Sequence, residues 1–249
     1  MLNLLKMEWY RLRKSRWFWG LLAGSAVFGL FMCFSEMNSQ SVKAVMAAGQ
    51  SGGMVIAQMM TEAFIVGGLV SVCAVIYLGR SFTEKTVCLA VEAGYSRRAI
   101  FMSKAAAYFI LILMDMAAYV LAGGLVVLLR ALGSGQAPAG FDSLFGTAVI
   151  CILASCAVDC APLLFLVIFR DSAKTTLFAV LSLLLHIFVA SAAGLPERLR
   201  WVLPVNQLIS AMSFDMGSPE WLTAAGINLA FLAVFLGLGC LVFSKRELK

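Results

Sequence analysis

Charged side chains are scarce in this chain of 249 residues, at 13% of the total against the about 25% of ordinary globular domains. Histidine occurs once. No G-x-x-x-x-G-K-[ST] stretch occurs, so the chain lacks the P-loop that holds ATP phosphates. No polar stretch is longer than a loop. These absences leave no room for a folded catalytic domain outside a membrane, and we do not expect an enzyme.

Long apolar runs take the place of the missing charge. Hydrophobic residues make up 62% of the chain, and its mean hydropathy is +0.95. A hydrocarbon core of about 30 Å needs about 20 apolar helical residues to span it, and lipid excludes open strands. The sequence therefore predicts one all-α membrane domain over residues 1–249. Its six transmembrane helices are predicted at 17–34, 54–79, 105–129, 144–169, 175–193 and 221–243.

The basic residues predict the orientation of these spans. Four polar segments would share one side of the membrane: 1–16, 80–104, 170–174 and the C-terminal tail. They hold 15 of the 19 basic residues. The positive-inside rule places such segments, and with them both termini, in the cytoplasm. We interpret the net charge of +6 as a product of this topology and of anionic lipid headgroups, not as a nucleic-acid surface.

The N-terminal segment, residues 1–16, has a helical pattern of its own. Leu2, Leu5, Trp9 and Leu12 follow one helical stripe, and the basic residues lie away from it. This pattern predicts an amphipathic helix in the cytoplasmic interface of the bilayer. Such a helix could only anchor the chain, or it could move as a lever with the first span.

The predicted cytoplasmic loop at 80–104 contains helix signals. A short helix is predicted to begin near 83–86 and to stop at Gly94, and Ser96 can cap a second helix that continues into span three. Arg97 and Arg98 follow that cap. A short helix with basic residues at its exit suits docking to a cytoplasmic partner. An ordinary solvated loop explains the local pattern equally well.

Residues 194–220, between the last two spans, are also unusual. They combine Pro196, Pro204 and Pro219 with apolar side chains, which is too apolar for a solvated loop and too broken for a span. We predict a partly re-entrant external segment with a helix near 206–214. It could gate an outer mouth or cap the helix bundle.

Ionisable side chains inside spans are costly and are therefore candidates for function. The pathway candidates are Glu62, Asp115, Asp159 and His186. The alternative for each is a hydrogen-bonded contact between helices. Asp159 also lies between two cysteines of the same span, a pattern that could bind a soft metal, but packing of small side chains explains these cysteines better and we expect no metal site.

Two segments resemble a known family. The opening LLKMEWYRLRKSRWFWGLL resembles the start of type-2 ATP-binding-cassette permeases, where a basic amphipathic segment precedes the first span. The stretch FTEKTVCLAVEAGYSRRAIFMSK resembles the family's segment between spans two and three, with its threonine at Thr86, a Gly-x-Ser-Arg-like element at 94–97 and a lysine, Lys104, opening span three. Six spans with cytoplasmic ends match as well. The small permeases of peptide and antibiotic self-protection exporters are the most similar group.

The resemblance implies a division of labour. ATP and Mg would be bound by a separate ATP-binding-cassette ATPase subunit, and two permease copies, identical or similar, would enclose one pathway for a peptide, an antibiotic or another amphipathic compound. The location would be a bacterial plasma membrane. The resemblance also implies an ATPase-coupling segment made of Thr83, Glu84, Lys85, Thr86, Glu92, Gly94, Ser96, Arg97 and Arg98.

Two other function classes remain open from the residues alone. An ion-coupled secondary transporter could use Asp115, Asp159 and His186 as a relay, although the chain shows none of the internal repeats typical of such folds. An intramembrane aspartyl protease could use Asp115 and Asp159 as a dyad, although neither aspartate has a glycine-rich setting.

Overall fold

The computed structural model describes residues 2–38, 51–83, 86–134, 144–191, 196, 201–212 and 218–245, and our structural statements concern these residues. Within them the chain forms nine helices and no strand, which confirms the predicted all-α class. The helices are α1 (Leu2–Lys14), α2 (Arg16–Asn38), α3 (Ser51–Thr83), α4 (Thr86–Glu92), α5 (Arg97–Ser134), α6 (Leu144–Phe169), α7 (Ser172–Ser191), α8 (Pro204–Met212) and α9 (Ser218–Lys245).

Six of these helices are long and apolar enough to cross a membrane, as predicted. Their span-length parts are Arg16–Asn38, Val55–Ser81, Arg97–Arg130, Leu144–Phe169, Ser172–Val189 and Glu220–Lys245. The third begins well before the predicted residue 105, because the helix that starts in the preceding loop continues into the span without a break. The chain therefore has the architecture of a multi-pass membrane protein.

Three helices form the centre of the bundle. In the most apolar stretch of α6, 67% of the residues are buried, and in that of α3 the share is 56%. The corresponding shares in α7, α9 and α2 are only 11%, 17% and 22%. α5 packs along both α2 and α3, and α6 packs against α3, α8 and α9. The outer helices consequently expose most of their apolar surface, which a membrane can cover.

Glycines allow α5 to lie close to α2 and to α3. A methyl group at Gly29 would collide with the backbone carbonyl of Tyr119, and one at Gly123 would collide with the side chain of Met59. Small residues let transmembrane backbones approach in this way. The Gly20 and Gly24 pair of α2, in contrast, has open space around it. Among the described residues, no close packing is made at this pair.

The amphipathic helix α1 lies against α5 and the start of α2. Leu4, Glu8 and Leu12 are each 3% exposed and form its buried stripe, while Leu5 and Trp9 are half-buried. The buried face is therefore displaced from the stripe that apolar spacing predicted, and it contains a carboxylate. The reason lies on α5, which presents a buried lysine to it.

The short helix α8 confirms a helix within the segment between the last two spans, two residues earlier than predicted. It packs mainly on α6, where the hydroxyl of Thr147 donates to the backbone carbonyl of Ala211 over 3.3 Å. The amide of Asn228, on α9, donates to Oε1 of Gln207 over 2.7 Å. These contacts seat α8 against the bundle.

Candidate functional site: the α4 segment and the buried polar groups

A short connector, residues 86–98, joins α3 to α5 and contains most of the predicted coupling residues. Here we call it the α4 segment. Helix α4 ends as predicted at Gly94, whose φ of 85° is a conformation that suits glycine. The amide of Tyr95 donates to the carbonyl of Ala90 over 3.2 Å, and that of Gly94 to Val91 over 2.9 Å. This pair of bonds is the Schellman motif, which ends a helix and satisfies its last carbonyls.

Polar side chains join the α4 segment to its neighbours at both ends. The hydroxyl of Thr86 donates to the carbonyl of Ser81, near the end of α3, over 3.0 Å. The amide of Ala99 donates to the hydroxyl of Ser96 over 3.3 Å, so Ser96 caps α5 as predicted. The predicted residues Glu84 and Lys85, and the side chain of Thr83, lie outside the described residues. The segment is thus held to the helices on both sides by defined hydrogen bonds.

The two arginines at the start of α5 have different surroundings. Arg97 is half-buried and donates from Nη1 to the carbonyl of Ser244, in the last turn of α9, over 3.3 Å. The negative end of the α9 dipole favours a cation there. Arg98 is exposed. Its charge lies at the positive end of α5, where a cation is unfavourable by about 0.3–1 kcal/mol. Only Arg98 of the pair is presented outward.

The two faces of α4 differ in character. Val87 is 2% exposed and belongs to the main apolar core, whereas Leu89 is 61% exposed. Glu92 and Gly94 are exposed on the same connector. Val87 thus holds the helix to the bundle, while Leu89, Glu92 and, at the start of α5, Arg98 are exposed on the same segment. This arrangement is suited to a protein contact.

Asp115 lies in the contact between α2 and α5. It is 0% exposed, and the hydroxyl of Ser25 donates to its Oδ2 over 2.6 Å. Among the residues that the structure describes, nothing bonds its Oδ1. The carboxylate therefore takes part in a helix-to-helix contact in the interior.

Asp159 lies in a second contact, between α6, α3 and α5. It is 1% exposed, and among the described residues nothing bonds its Oδ2; the hydroxyl of Ser71, on α3, donates to the carbonyl of Gly68 over 2.7 Å. The phenol of Tyr108, on α5, donates to the backbone carbonyl of Asp159 over 2.9 Å. Asp115 and Asp159 thus contact different neighbours on different helices.

The other two pathway candidates have surroundings of their own. Glu62 is half-buried and accepts a hydrogen bond from the phenol of Tyr119 over 2.7 Å, which joins α3 to α5. His186 lies within 2.6 Å of the carbonyl of Ser182, one turn earlier in α7, and lines an apolar cleft with Val205. The four ionisable groups thus have separate hydrogen-bonding partners among the described residues.

Sequence reasoning missed one buried ion pair. Nζ of Lys104 lies 2.8 Å from Oε1 of Glu8, and their side chains are 8% and 4% exposed. The pair joins α1 to α5 close to the α4 segment. One signal was available, because Glu8 is the only acidic residue in the basic segment 1–16. A lone carboxylate in such a segment predicts an internal cation.

Comparisons with known proteins add no family to these observations. A scan against protein-family models found no match, and a search of curated proteins found no similar sequence. Among the described residues, no group of three or more His, Cys, Asp and Glu side chains could hold a metal ion. We therefore take the α4 segment, whose helix end, cap and polar contacts are all defined, as the main candidate site.

Proposed function

We propose that this chain is the membrane-spanning subunit of an ATP-driven exporter in a bacterial plasma membrane, with both termini in the cytoplasm. Helix α1 would lie in the cytoplasmic interface, and ATP with Mg would be bound by a separate ATPase subunit. The chain would not hydrolyse ATP itself, because it contains no P-loop sequence. The resemblance of its N-terminal and α4 segments to type-2 ATP-binding-cassette permeases supports this proposal.

The observation that carries the proposal is the α4 segment. A helix of seven residues is held between two long helices by a Schellman end, a capping serine and a threonine bond. Its outward face presents Leu89, at 61% exposure. Interfaces are built on apolar anchors with polar residues at the rim, and Glu92 and Arg98 would supply that rim. We therefore assign the α4 segment as the ATPase-coupling element.

The segment is also connected to the elements that a moving ATPase would need to displace. Thr86 joins it to the end of α3, and Arg97 joins the start of α5 to the end of α9. Lys104, two turns further along α5, holds α1 through Glu8. A displacement of α4 would consequently be transmitted to three spans and to the amphipathic helix together.

A pathway between two copies is consistent with the packing of one copy. The buried Asp115 and Asp159 lie inside helix contacts, whereas α2, α7 and α9 expose most of their surface. A second permease copy could cover part of that surface and enclose the route. The cargo we favour is an amphipathic peptide or antibiotic, because the spans offer few fixed charges for a hydrophilic solute.

Co-purification tests the ATPase assignment. The tagged full chain is purified in mild detergent from its native membrane as wild type, Leu89→Glu and Arg98→Glu, and bound subunits are quantified and assayed for ATP hydrolysis. We expect an ATP-hydrolysing subunit to accompany the wild type. Both variants should reduce its recovery at least about tenfold, the effect of losing a contact of about 1.4 kcal/mol or more.

Arg130→Glu is the matched control for Arg98→Glu. Arg130 is exposed and lies at the opposite end of the same helix, which the proposed orientation puts on the other side of the membrane. This variant should retain the ATPase. Recovery of the wild type without any ATP-hydrolysing subunit, or equal recovery with Arg98→Glu and Arg130→Glu, would contradict the proposal.

A further inference from the structure

Two buried oxygen atoms on α6 have no hydrogen-bonding partner among the described residues. They are Oδ2 of Asp159, a residue that is 1% exposed, and the hydroxyl oxygen of Ser155, a residue that is 0% exposed. The two residues are four apart in one helix, so their side chains lie on the same face with about 5–6 Å between the Cβ atoms. Buried polar atoms without a partner are uncommon in folded proteins and require an explanation, such as a bound ion. This pair therefore marks a candidate binding position inside the bundle.

No basic side chain balances the charge of the Asp159 carboxylate. Among the described residues, no lysine, arginine or histidine forms an ion pair with it. Its titratable neighbours are Tyr108 on α5 and Cys156 and Cys160 on α6, and none of these groups carries a positive charge in any protonation state. An ionised carboxylate that is buried without a counter-charge is strongly unfavourable. A bound cation would supply the charge that the side chains do not.

Oxygen atoms from two other helices lie beside the same carboxyl group. The phenol of Tyr108, on α5, donates to the backbone carbonyl of Asp159 over 2.9 Å. The hydroxyl of Ser71, on α3, lies close to both the phenol of Tyr108 and the carboxyl of Asp159. Ser71 donates its proton to the carbonyl of Gly68 over 2.7 Å, so its oxygen lone pairs remain available to a cation. Side-chain oxygens of α3, α5 and α6 thus surround one position.

A proline in α6 frees a further acceptor next to this position. Pro162 has no amide hydrogen, so the carbonyl of Val158 loses the bond that a regular helix would give it. Val158 directly precedes Asp159. Carbonyls of interrupted helices coordinate sodium ions in membrane transporters. The helix itself therefore contributes to a set of hard oxygen ligands.

The spacing of the two unpartnered atoms favours an ion over a proton. Asp159 and Ser155 are not hydrogen-bonded to each other, so a proton on Oδ2 would leave the Ser155 oxygen unsatisfied. Calcium, which is close to sodium in radius, bonds oxygen at about 2.3–2.6 Å, so an ion of this size bridges oxygens about 4–5 Å apart. Calcium sites also use several carboxylates, whereas a single carboxylate matches the charge of a monovalent ion.

We propose that Asp159 and Ser155, with the oxygens of Ser71 and Tyr108, form a binding site for one sodium ion inside the helix bundle. The ion would neutralise the carboxylate and would hold α6 to α3 and α5. The proposal goes beyond the proposed function and shares with it only the premise that the long helices cross a bilayer. It does not depend on an ATPase.

Thermal unfolding of the purified full chain in detergent tests the site. The midpoint is measured in sodium, potassium and choline chloride at one total salt concentration. A ligand that binds only the folded state adds about 1.4 kcal/mol for each tenfold rise above half-saturation. In a chain of this size, 1 kcal/mol shifts the midpoint by about 2–4 °C, so each tenfold rise in sodium should add about 3–6 °C. Choline should add nothing, and equilibrium binding of radioactive sodium should approach one ion per chain.

Three variants locate the ion. Asp159→Asn keeps the side-chain volume and should remove the sodium shift, and Ser155→Ala should weaken sodium binding at least about tenfold, the effect of losing about 1.4 kcal/mol. Asp115→Asn is the matched control, because it removes an equally buried carboxylate from the contact between α2 and α5, and it should keep the full shift. Circular dichroism and gel filtration establish that each variant is folded. Binding of radioactive sodium to the wild type decides the proposal where a variant does not fold.

Three results would overturn the proposal. Equal midpoints in sodium and choline chloride, without binding of radioactive sodium, would exclude the site. An undiminished shift in Asp159→Asn, or an equal loss in Asp115→Asn, would place the ion elsewhere. A midpoint that responds to pH but not to sodium, with the response lost in Asp159→Asn, would show that the carboxyl group holds a proton instead. None of these measurements involves an ATPase, so their outcome is independent of the co-purification test.

Discussion

Removal of one member of the Glu8–Lys104 pair should be far more harmful than removal of both. Their charged atoms lie 2.8 Å apart, and the two side chains are 8% and 4% exposed. At an effective dielectric constant of about 20, the attraction at that distance is about 6 kcal/mol. Desolvation costs several kcal/mol for each ion, so the pair contributes little net stability. Lys104→Met loses the attraction and leaves the buried carboxylate without its cation.

We therefore expect Lys104→Met and Glu8→Met each to lower the free energy of unfolding by about 3–5 kcal/mol. Folded proteins are stable by only about 5–15 kcal/mol, so either variant approaches the limit of folding. The double variant replaces both ions with apolar side chains and should be more stable than either single variant. Denaturation by SDS in mixed micelles, followed by circular dichroism, measures the free energies of unfolding of the wild type and the three variants, which together form a double-mutant cycle.

Lys6→Met is the control for this cycle. Lys6 is exposed on the same helix and loses the same charge without loss of a buried contact, so its effect should stay within about 0.5 kcal/mol. A double variant whose loss equals the sum of the two single losses would show that Glu8 and Lys104 are not coupled. That result would refute the buried pair.

Three further predictions follow from other contacts. Gly29→Ala should lower the thermal unfolding midpoint in detergent, because its methyl group would strike the α5 backbone. Gly20→Ala meets open space and should keep or raise that midpoint, and equal losses in the two variants would contradict the close approach of α2 and α5. Asp115→Asn should preserve or raise the thermal unfolding midpoint, since it keeps an acceptor for Ser25 and removes a costly buried charge. A large fall in the midpoint would show that the charge itself is needed. Cys88, half-buried in the α4 segment, should react with a membrane-impermeant maleimide only after cells are permeabilised, and labelling of intact cells would reverse the proposed orientation.

Local signals allowed the α4 segment to be predicted in part. Gly94 ends α4 and Ser96 caps α5 because both effects depend on residues within one or two turns of the chain. The role of Arg97 could not be predicted in the same way. It bonds the carbonyl of Ser244, which is 147 residues away, and nothing in the loop sequence indicates that contact. The sequence therefore predicted the segment, and the structure divided its two arginines between an internal and an outward role.

The sequence by itself determined the six spans and their helical class. An apolar run of about 20 residues is most stable across the hydrocarbon core of a bilayer, and inside lipid the backbone must satisfy its own hydrogen bonds, which favours a helix. Only the tertiary structure decided which side chains meet. Ser25 and Asp115 are 90 residues apart, and Glu8 and Lys104 are 96 apart. Their contacts depend on how each helix is rotated and how closely it crosses its neighbour. Glycine positions and packing set the rotation and the crossing distance of each helix. The hydropathy pattern of a span that is apolar on all sides carries no information about either.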